Sequence, residues 1–159
     1  MKILFVCSGN TCRSPMAEAI FRSFYDQNQY KPQIASAGIF AMPGDEASAN
    51  AIFAMNKRGL DISGHRSRPA SAYLLEEADI IITMGQSHKD TLLSSRPDLA
   101  DKILSMAEVG GCDISDPFGG DQSVYERCAT EIEKTLRILR QKLQPQNQQK
   151  SRQEKGKAD

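Results

Sequence analysis

Tryptophan is absent from this chain of 159 residues, and histidine occurs twice, at His65 and His88. Two histidines and four scattered cysteines (Cys7, Cys12, Cys112, Cys128) do not have the spacing of a metal-ligand set. No metal and no other cofactor is expected. Charge of one sign is not in excess either: 20 Lys+Arg balance 20 Asp+Glu, for a net charge of zero. A nucleic-acid binder usually carries a basic face, and this balance argues against one. A local anion site remains compatible with it, because a single loop holds phosphate without changing the sum. Long apolar runs are missing as well, so no membrane span is expected. The stretch Ile3–Val6 is too short for a signal-peptide core and runs into polar, Gly-containing sequence. A cytoplasmic protein with free thiols is the expectation.

What is present fits one ordinary α/β domain. Hydrophobic residues make up 40% of the chain, enough for a core. Ile3–Val6 reads as a short buried strand, Gln33–Ala37 as a second ending at Gly38, Asp79–Thr83 as an interior strand and Lys102–Met106 as a weaker one. Between them, helices are expected from Ser14-Pro15, over Glu46–Lys57 with Gly59 closing it, over Ser71–Glu77 and over Ser87–Leu93. Ser14 suits a helix N-cap and Pro15 a first helical position. Met16, Ile20 and Phe24, with Phe21 beside them, give the first helix an apolar stripe. The last helix, Gln122–Leu143, carries Tyr125, Cys128, Ile132, Leu136, Leu139 and Leu143 at steps of three and four. Its acidic start and basic end suit the helix dipole. Alternating short apolar strands and helices predict a parallel sheet covered on both faces. Residues 1–143 form the expected domain. Residues 144–159, rich in Gln, Lys and Ser with almost no apolar side chain, read as a disordered polar tail.

The chemistry is concentrated in Cys7-Ser-Gly-Asn-Thr-Cys-Arg13-Ser14-Pro15. A strand leads into this loop and a helix leaves it. A phosphoryl dianion needs several N–H donors aimed at one place, and a loop folded onto a helix N-terminus supplies them. Gly9 and Asn10 both tolerate the left-handed backbone such a loop uses. Arg13 can clamp two equatorial oxygens at once, which Lys cannot. The same field favours the thiolate of Cys7, the nucleophilic form. Ser14 is placed to assist that thiolate when it leaves. A cysteine at the end of a strand is more often a small packed hydrophobe. Here the Cys, five residues, Arg-Ser spacing in a strand-loop-helix context favours catalysis.

On these residues the chain resembles the low-molecular-weight protein tyrosine phosphatase family, and within it the protein-arginine-phosphatase branch. The resemblance spans roughly residues 1–143. It rests on the N-terminal loop and on Ser36-Ala-Gly38, Ser63-Gly-His65-Arg66 and Asp116-Pro-Phe118-Gly-Gly. It implies a single three-layer domain: a four-stranded parallel sheet with helices on both faces and the phosphate loop at the carboxyl edge of the first strand. It implies Cys7, Arg13 and Asp116 as catalytic residues. Asp116 acts as general acid and then as base for water, with Pro117 holding it in extended backbone. Ser8, Gly9, Asn10, Thr11, Cys12 and Ser14 would contact the substrate, and Phe118 would wall the pocket. Asn10, Ser36 and His65 resemble the polar set that braces the loop. Without the resemblance, Asp116-Pro117 reads more readily as a turn that starts a helix.

Three further expectations follow. Cys12 is placed to trap an oxidised Cys7 as a disulfide, and it reads equally as a packing thiol. Cys112, Cys128 and residues Ile39 and Phe40 are expected to pack, the last two near the mouth at most, and His88 to be ordinary surface. The substrates are phosphorylated proteins. Thr11 takes the place where tyrosine phosphatases of the family carry a bulky aliphatic residue, and this favours phosphoarginine. A tyrosine phosphatase is the alternative. A thiol-coupled arsenate reductase would need a closely placed redox cysteine pair and would leave Asp116-Pro unexplained. A non-catalytic phosphate-binding module would need neither nucleophile nor acid.

Overall fold

A computed structural model of the chain describes residues 1–144. Strands β1 (Lys2–Cys7), β2 (Gln33–Gly38), β3 (Ile80–Thr83) and β4 (Ile103–Ser105) form one parallel sheet in the order β2-β1-β3-β4. The helices are α1 (Arg13–Ser23), α2 (Ala49–Lys57), α3 (Ala72–Glu77), α4 (Gln86–Ser95), α5 (Met106–Val109) and α6 (Gln122–Leu143), with a 3₁₀ turn over Pro97–Lys102.

β1 is apolar throughout because it is central, with a partner on each side and a core on each face. Its alternating side chains serve two cores. Ile3, Phe5 and Cys7 pack with Met16, Ile20 and Phe21 of α1, Ala51 and Met55 of α2, and Tyr125, Ile132 and Leu136 of α6. Leu4 and Val6 pack on the other face with Leu75, Ile81, Leu92, Leu99 and Ile103. Full burial of a side chain such as Ile3 or Phe5 contributes about 1.5–3 kcal/mol. Phe21 meets the edges of Phe5, Phe24 and Tyr25 at centroid distances of 5.6, 5.9 and 5.4 Å. The α6 stripe is buried from Tyr125 to Leu139 with Leu143 at its margin, and the Asp121 carboxylate caps the helix by accepting the Val124 N–H at 3.2 Å.

The strand order positions the site. The chain passes from β1 to β2 on one side, then crosses back to β3 on the other. α1, which follows β1, covers the first core, and α4, which follows β3, covers the second. The two loops therefore diverge above the carboxyl ends of β1 and β3, where open α/β sheets form their ligand crevice.

Some local expectations need correction. Ser14 is not the N-cap of α1. Cys12 holds that position without a side-chain cap, and Ser14 and Pro15 fall within the first turn. Pro15 is harmless there because the first N–H groups of a helix have no intrahelical partner. α2 starts at Ala49, capped by Ser48, because Glu46 is engaged in an isolated bridge with Arg66. The 3₁₀ turn and α5 were not anticipated. Both are short and lack apolar periodicity, and α5 is held by a reciprocal cap between Ser105 and Glu108. Cys112 is exposed rather than packed, whereas Cys128 is buried. Apart from Gln144, the expected tail lies outside the described residues.

Candidate active site

β1 ends at Cys7, and the chain turns through Ser8–Cys12 directly into α1. The turn depends on Asn10, which adopts φ 57°, a left-handed conformation that Asn tolerates better than most residues. It also depends on Gly38 at the end of β2, where a Cβ would stand 2.6 Å from the Ser8 carbonyl oxygen and 2.9 Å from the Asn10 nitrogen. No side chain fits in that approach.

Asn10 is fully buried and every polar group of it is engaged. Its Oδ1 accepts the Arg68 N–H at 3.0 Å, which fixes the amide orientation. Its Nδ2 then donates to Ser14 Oγ at 2.9 Å and to Ser36 Oγ at 3.0 Å. Ser36 Oγ in turn donates to Glu18 Oε2 at 2.7 Å, and Arg22 holds the other Glu18 oxygen at 2.7 Å. The Asn10 carbonyl accepts from His65 Nε2 at 2.7 Å. Since Ser14 Oγ accepts from Asn10, its proton is free for Cys7 Sγ, 2.9 Å away. The Asn10 N–H adds a second donor to that sulfur at 3.3 Å. The network thus points two donors at Cys7 Sγ.

Arg13 is the first residue of α1 and nearly buried. Its Nη1 donates to the Ile114 carbonyl at 2.9 Å, and its Nη2 lies 3.7 Å from Asp116 Oδ2. One guanidinium therefore connects the phosphate loop to the segment before α6. Asp116 is half-exposed and accepts the Phe118 N–H at 3.1 Å, while Pro117 between them is buried and anchors the turn. Asp116 thus makes a turn through the Phe118 N–H and also faces Arg13. Phe118 projects into solvent at 81% exposure, and Phe40, expected to pack, is 74% exposed. Phe40 is a short step from the loop, its N–H donating to the Ser8 carbonyl.

Thr11 is half-buried. Cys12 is buried, with its sulfur 3.4 Å from both Ser48 Oγ and Tyr125 Oη. Burial and the Cys12 contact push the Tyr125 hydroxyl up to about 12, so it stays protonated. Burial likewise pushes the Cys128 thiol up to about 12. Sequence reasoning missed Glu18, Arg68, Tyr125 and His88. The first three carry no motif, and their roles depend on folding. His88 is buried, not surface. Its position just past the carboxyl end of an apolar strand was the signal available. Among the described residues no cluster of three or more His, Cys, Asp or Glu side chains could hold a metal ion.

The family described as low molecular weight phosphotyrosine protein phosphatase matches residues 2–150. This chain belongs to that family. It is 38% identical over 146 residues to a protein-arginine-phosphatase of Bacillus subtilis, covering 90% of this chain and 97% of the relative. It is 42% identical over 135 residues to a low molecular weight protein-tyrosine-phosphatase of Staphylococcus epidermidis, covering 83% and 91%. Among solved structures, an arginine phosphatase with its active-site cysteine replaced by a phosphorylated serine superposes with TM-score 0.85 at 37% identity, covering 90% of this chain and 95% of that one. The low molecular weight protein tyrosine phosphatase of T. tengcongensis superposes with TM-score 0.86 at 42% identity, covering 90% and 99%. The fold expected from the resemblance is therefore the fold of this phosphatase-family chain: a three-layer α/β domain on a four-stranded parallel sheet.

Proposed function

We propose that residues 1–143 form a cytoplasmic, cysteine-dependent protein phosphatase that removes phosphoryl groups from arginine side chains of phosphorylated proteins. The observation that carries the phosphatase reading is the chain of hydrogen bonds from Glu18 through Ser36, Asn10 and Ser14 to Cys7 Sγ, with Arg13 between that loop and Asp116. Free thiols, one of them exposed, suit a reducing compartment, and no helix among the described residues is long and apolar enough to cross a membrane.

In this reading the Cys7 thiolate attacks phosphorus while the loop amides and Arg13 hold the equatorial oxygens. The P–N bond breaks as Asp116 gives its proton to the departing guanidine nitrogen. Asp116, now a carboxylate, takes a proton from water, and the water oxygen attacks the S-phosphoryl group. The S–P bond then breaks, Ser14 donates to the returning thiolate, and phosphate leaves. The serine-phosphorylated relative supports a covalent step at this position.

Thr11 supports arginine over tyrosine. A guanidinium carries N–H groups that need acceptors once desolvated, and a Thr hydroxyl supplies one where an aliphatic side chain cannot. Asp116 offers a second acceptor before it acts as acid. The expected result is a higher kcat/KM for phosphoarginine than for phosphotyrosine peptides, with Thr11→Ile shifting the ratio toward phosphotyrosine. A parent enzyme that prefers phosphotyrosine would leave a tyrosine phosphatase, and either that result or a ratio unmoved by Thr11→Ile would remove Thr11 as the specificity determinant.

A further inference from the structure

His88 stands on the first turn of α4, outside every motif that marks the site, yet its ring reaches the phosphate loop. Its Nε2 lies 2.9 Å from Ser8 Oγ, across 80 residues of sequence. Its Nδ1 lies 3.0 Å from the Gly85 nitrogen. The Gly85 amide can only donate, so Nδ1 is the acceptor and the neutral ring carries its proton on Nε2. Nε2–H then donates to Ser8 Oγ. The Ser8 hydroxyl, accepting from His88, keeps its own proton uncommitted to the ring. Ser8 is half-exposed and adjoins Cys7, while His88 is 6% exposed.

The surroundings preserve this tautomer. Burial first, and the nearby Arg13 charge second, hold His88 below its ordinary range; Asp113 and Asp116 act in the opposite sense. A protonated ring would set an Nδ1–H against the Gly85 N–H and break that turn. Gly85 is itself held, its carbonyl accepting from Thr83 Oγ1 at 2.9 Å. Asp113 lies beside it, its carboxylate 3.7 Å from where a Gly85 Cβ would be. The ring has one orientation and one tautomer compatible with its neighbours.

We propose that His88 is a positioning residue for the phosphate loop. As the Nε2–H tautomer it fixes the Ser8 hydroxyl as a donor to the bound phosphoryl group, and it ties the loop after β1 to the turn after β3. The inference rests on the loop being the phosphate site and adds to it a residue that acts only through Ser8.

The test is a double-mutant cycle on the full chain, read by kcat/KM for an aryl phosphate and by KI for inorganic phosphate. His88→Ala and Ser8→Ala are each expected to weaken both by about three- to tenfold, the worth of one net hydrogen bond. The double variant should be no worse than the weaker single, because both remove the same interaction. His88→Gln, whose amide can still donate to Ser8, should recover most of the loss. Nitrogen-15 chemical shifts of the parent should show the Nε2–H tautomer at neutral pH. Additive losses in the double variant, a Gln variant as impaired as Ala, or an Nδ1–H tautomer would each overturn the proposal. The tautomer is read on the parent, so the test stands even if a variant fails to fold. Failure of the underlying reading shows separately, as loss of phosphate binding and turnover in the parent itself.

Discussion

In the proposed mechanism the phosphate loop and the Asp116 segment perform two halves of one reaction, and they are built in opposite ways. In the loop, Cys7, Asn10, Arg13 and Ser14 are buried, and Asn10 alone joins Arg68, Ser14, Ser36 and His65. Across the crevice, Asp116 is half-exposed and Phe118 projects into solvent, with a buried proline and one carboxylate-to-amide turn holding them. The physical demand differs. A transition-state dianion is stabilised only by donors already in place, so the loop is over-determined. A proton donor must reach leaving groups of different shape, and an exposed carboxyl on a short turn serves that. Arg13 joins the two, donating to the Ile114 carbonyl and facing Asp116.

The contrast is open to direct attack, most strongly at the nucleophile. Cys7→Ser is expected to lose turnover by at least about 10⁴-fold while still binding phosphate, whereas Arg13→Ala should lose both. Steady-state rates and phosphate inhibition measure this, and substantial turnover by the serine variant would sink the mechanism. Asp116→Ala comes next, with a loss of about 10²–10⁴ that shrinks for substrates with good leaving groups. An equal loss for good and poor leaving groups would make Asp116 a turn residue only. Asn10→Ala should cost about 2–3 kcal/mol of stability in a denaturant titration, because Ser14, Ser36 and the Arg68 amide lose a buried partner. A stability equal to the parent would show the loop to be less constrained than its hydrogen bonds indicate. The smallest effect is expected from redox. Mild peroxide should inactivate reversibly through a Cys7–Cys12 disulfide, with Cys128 unmodified because its thiol is held up near 12. Peptide mapping reads the pairing, and a Cys12→Ser variant that recovers as fully as the parent on reduction would remove the protective role.

Much of this molecule was legible in its sequence because the signals are local. An all-apolar Ile3–Val6 between polar neighbours specifies a central strand, whichever helices cover it. The stripe from Tyr125 to Leu143 specifies one helix face. Cys7, Arg13 and Ser14 are close in the chain, so their spacing carries the phosphate loop directly, and Asp116-Pro117 marks its own turn. The resemblance these motifs carry extended the reading to the sheet, and it supplies Asp116 as the proposed acid.

What the sequence could not convey depends on distances between segments that share no pattern. Ser14 looked like a cap because its type suits one. Its spacing from Cys7 already marked it as a partner for the thiolate, but only the packed loop shows it inside the first turn of α1, with Asn10 supplying the bond that frees its proton. Glu18 sits on the α1 surface as an ordinary helical carboxylate until β2 brings Ser36 to it. His88 reads as one polar residue of a helix, and it meets Ser8 only because the strand order places the loops after β1 and β3 side by side. Local propensity and periodicity act over a few residues and determine the elements themselves. Which polar groups are left without water, and so must find each other, is settled only when the sheet closes over them.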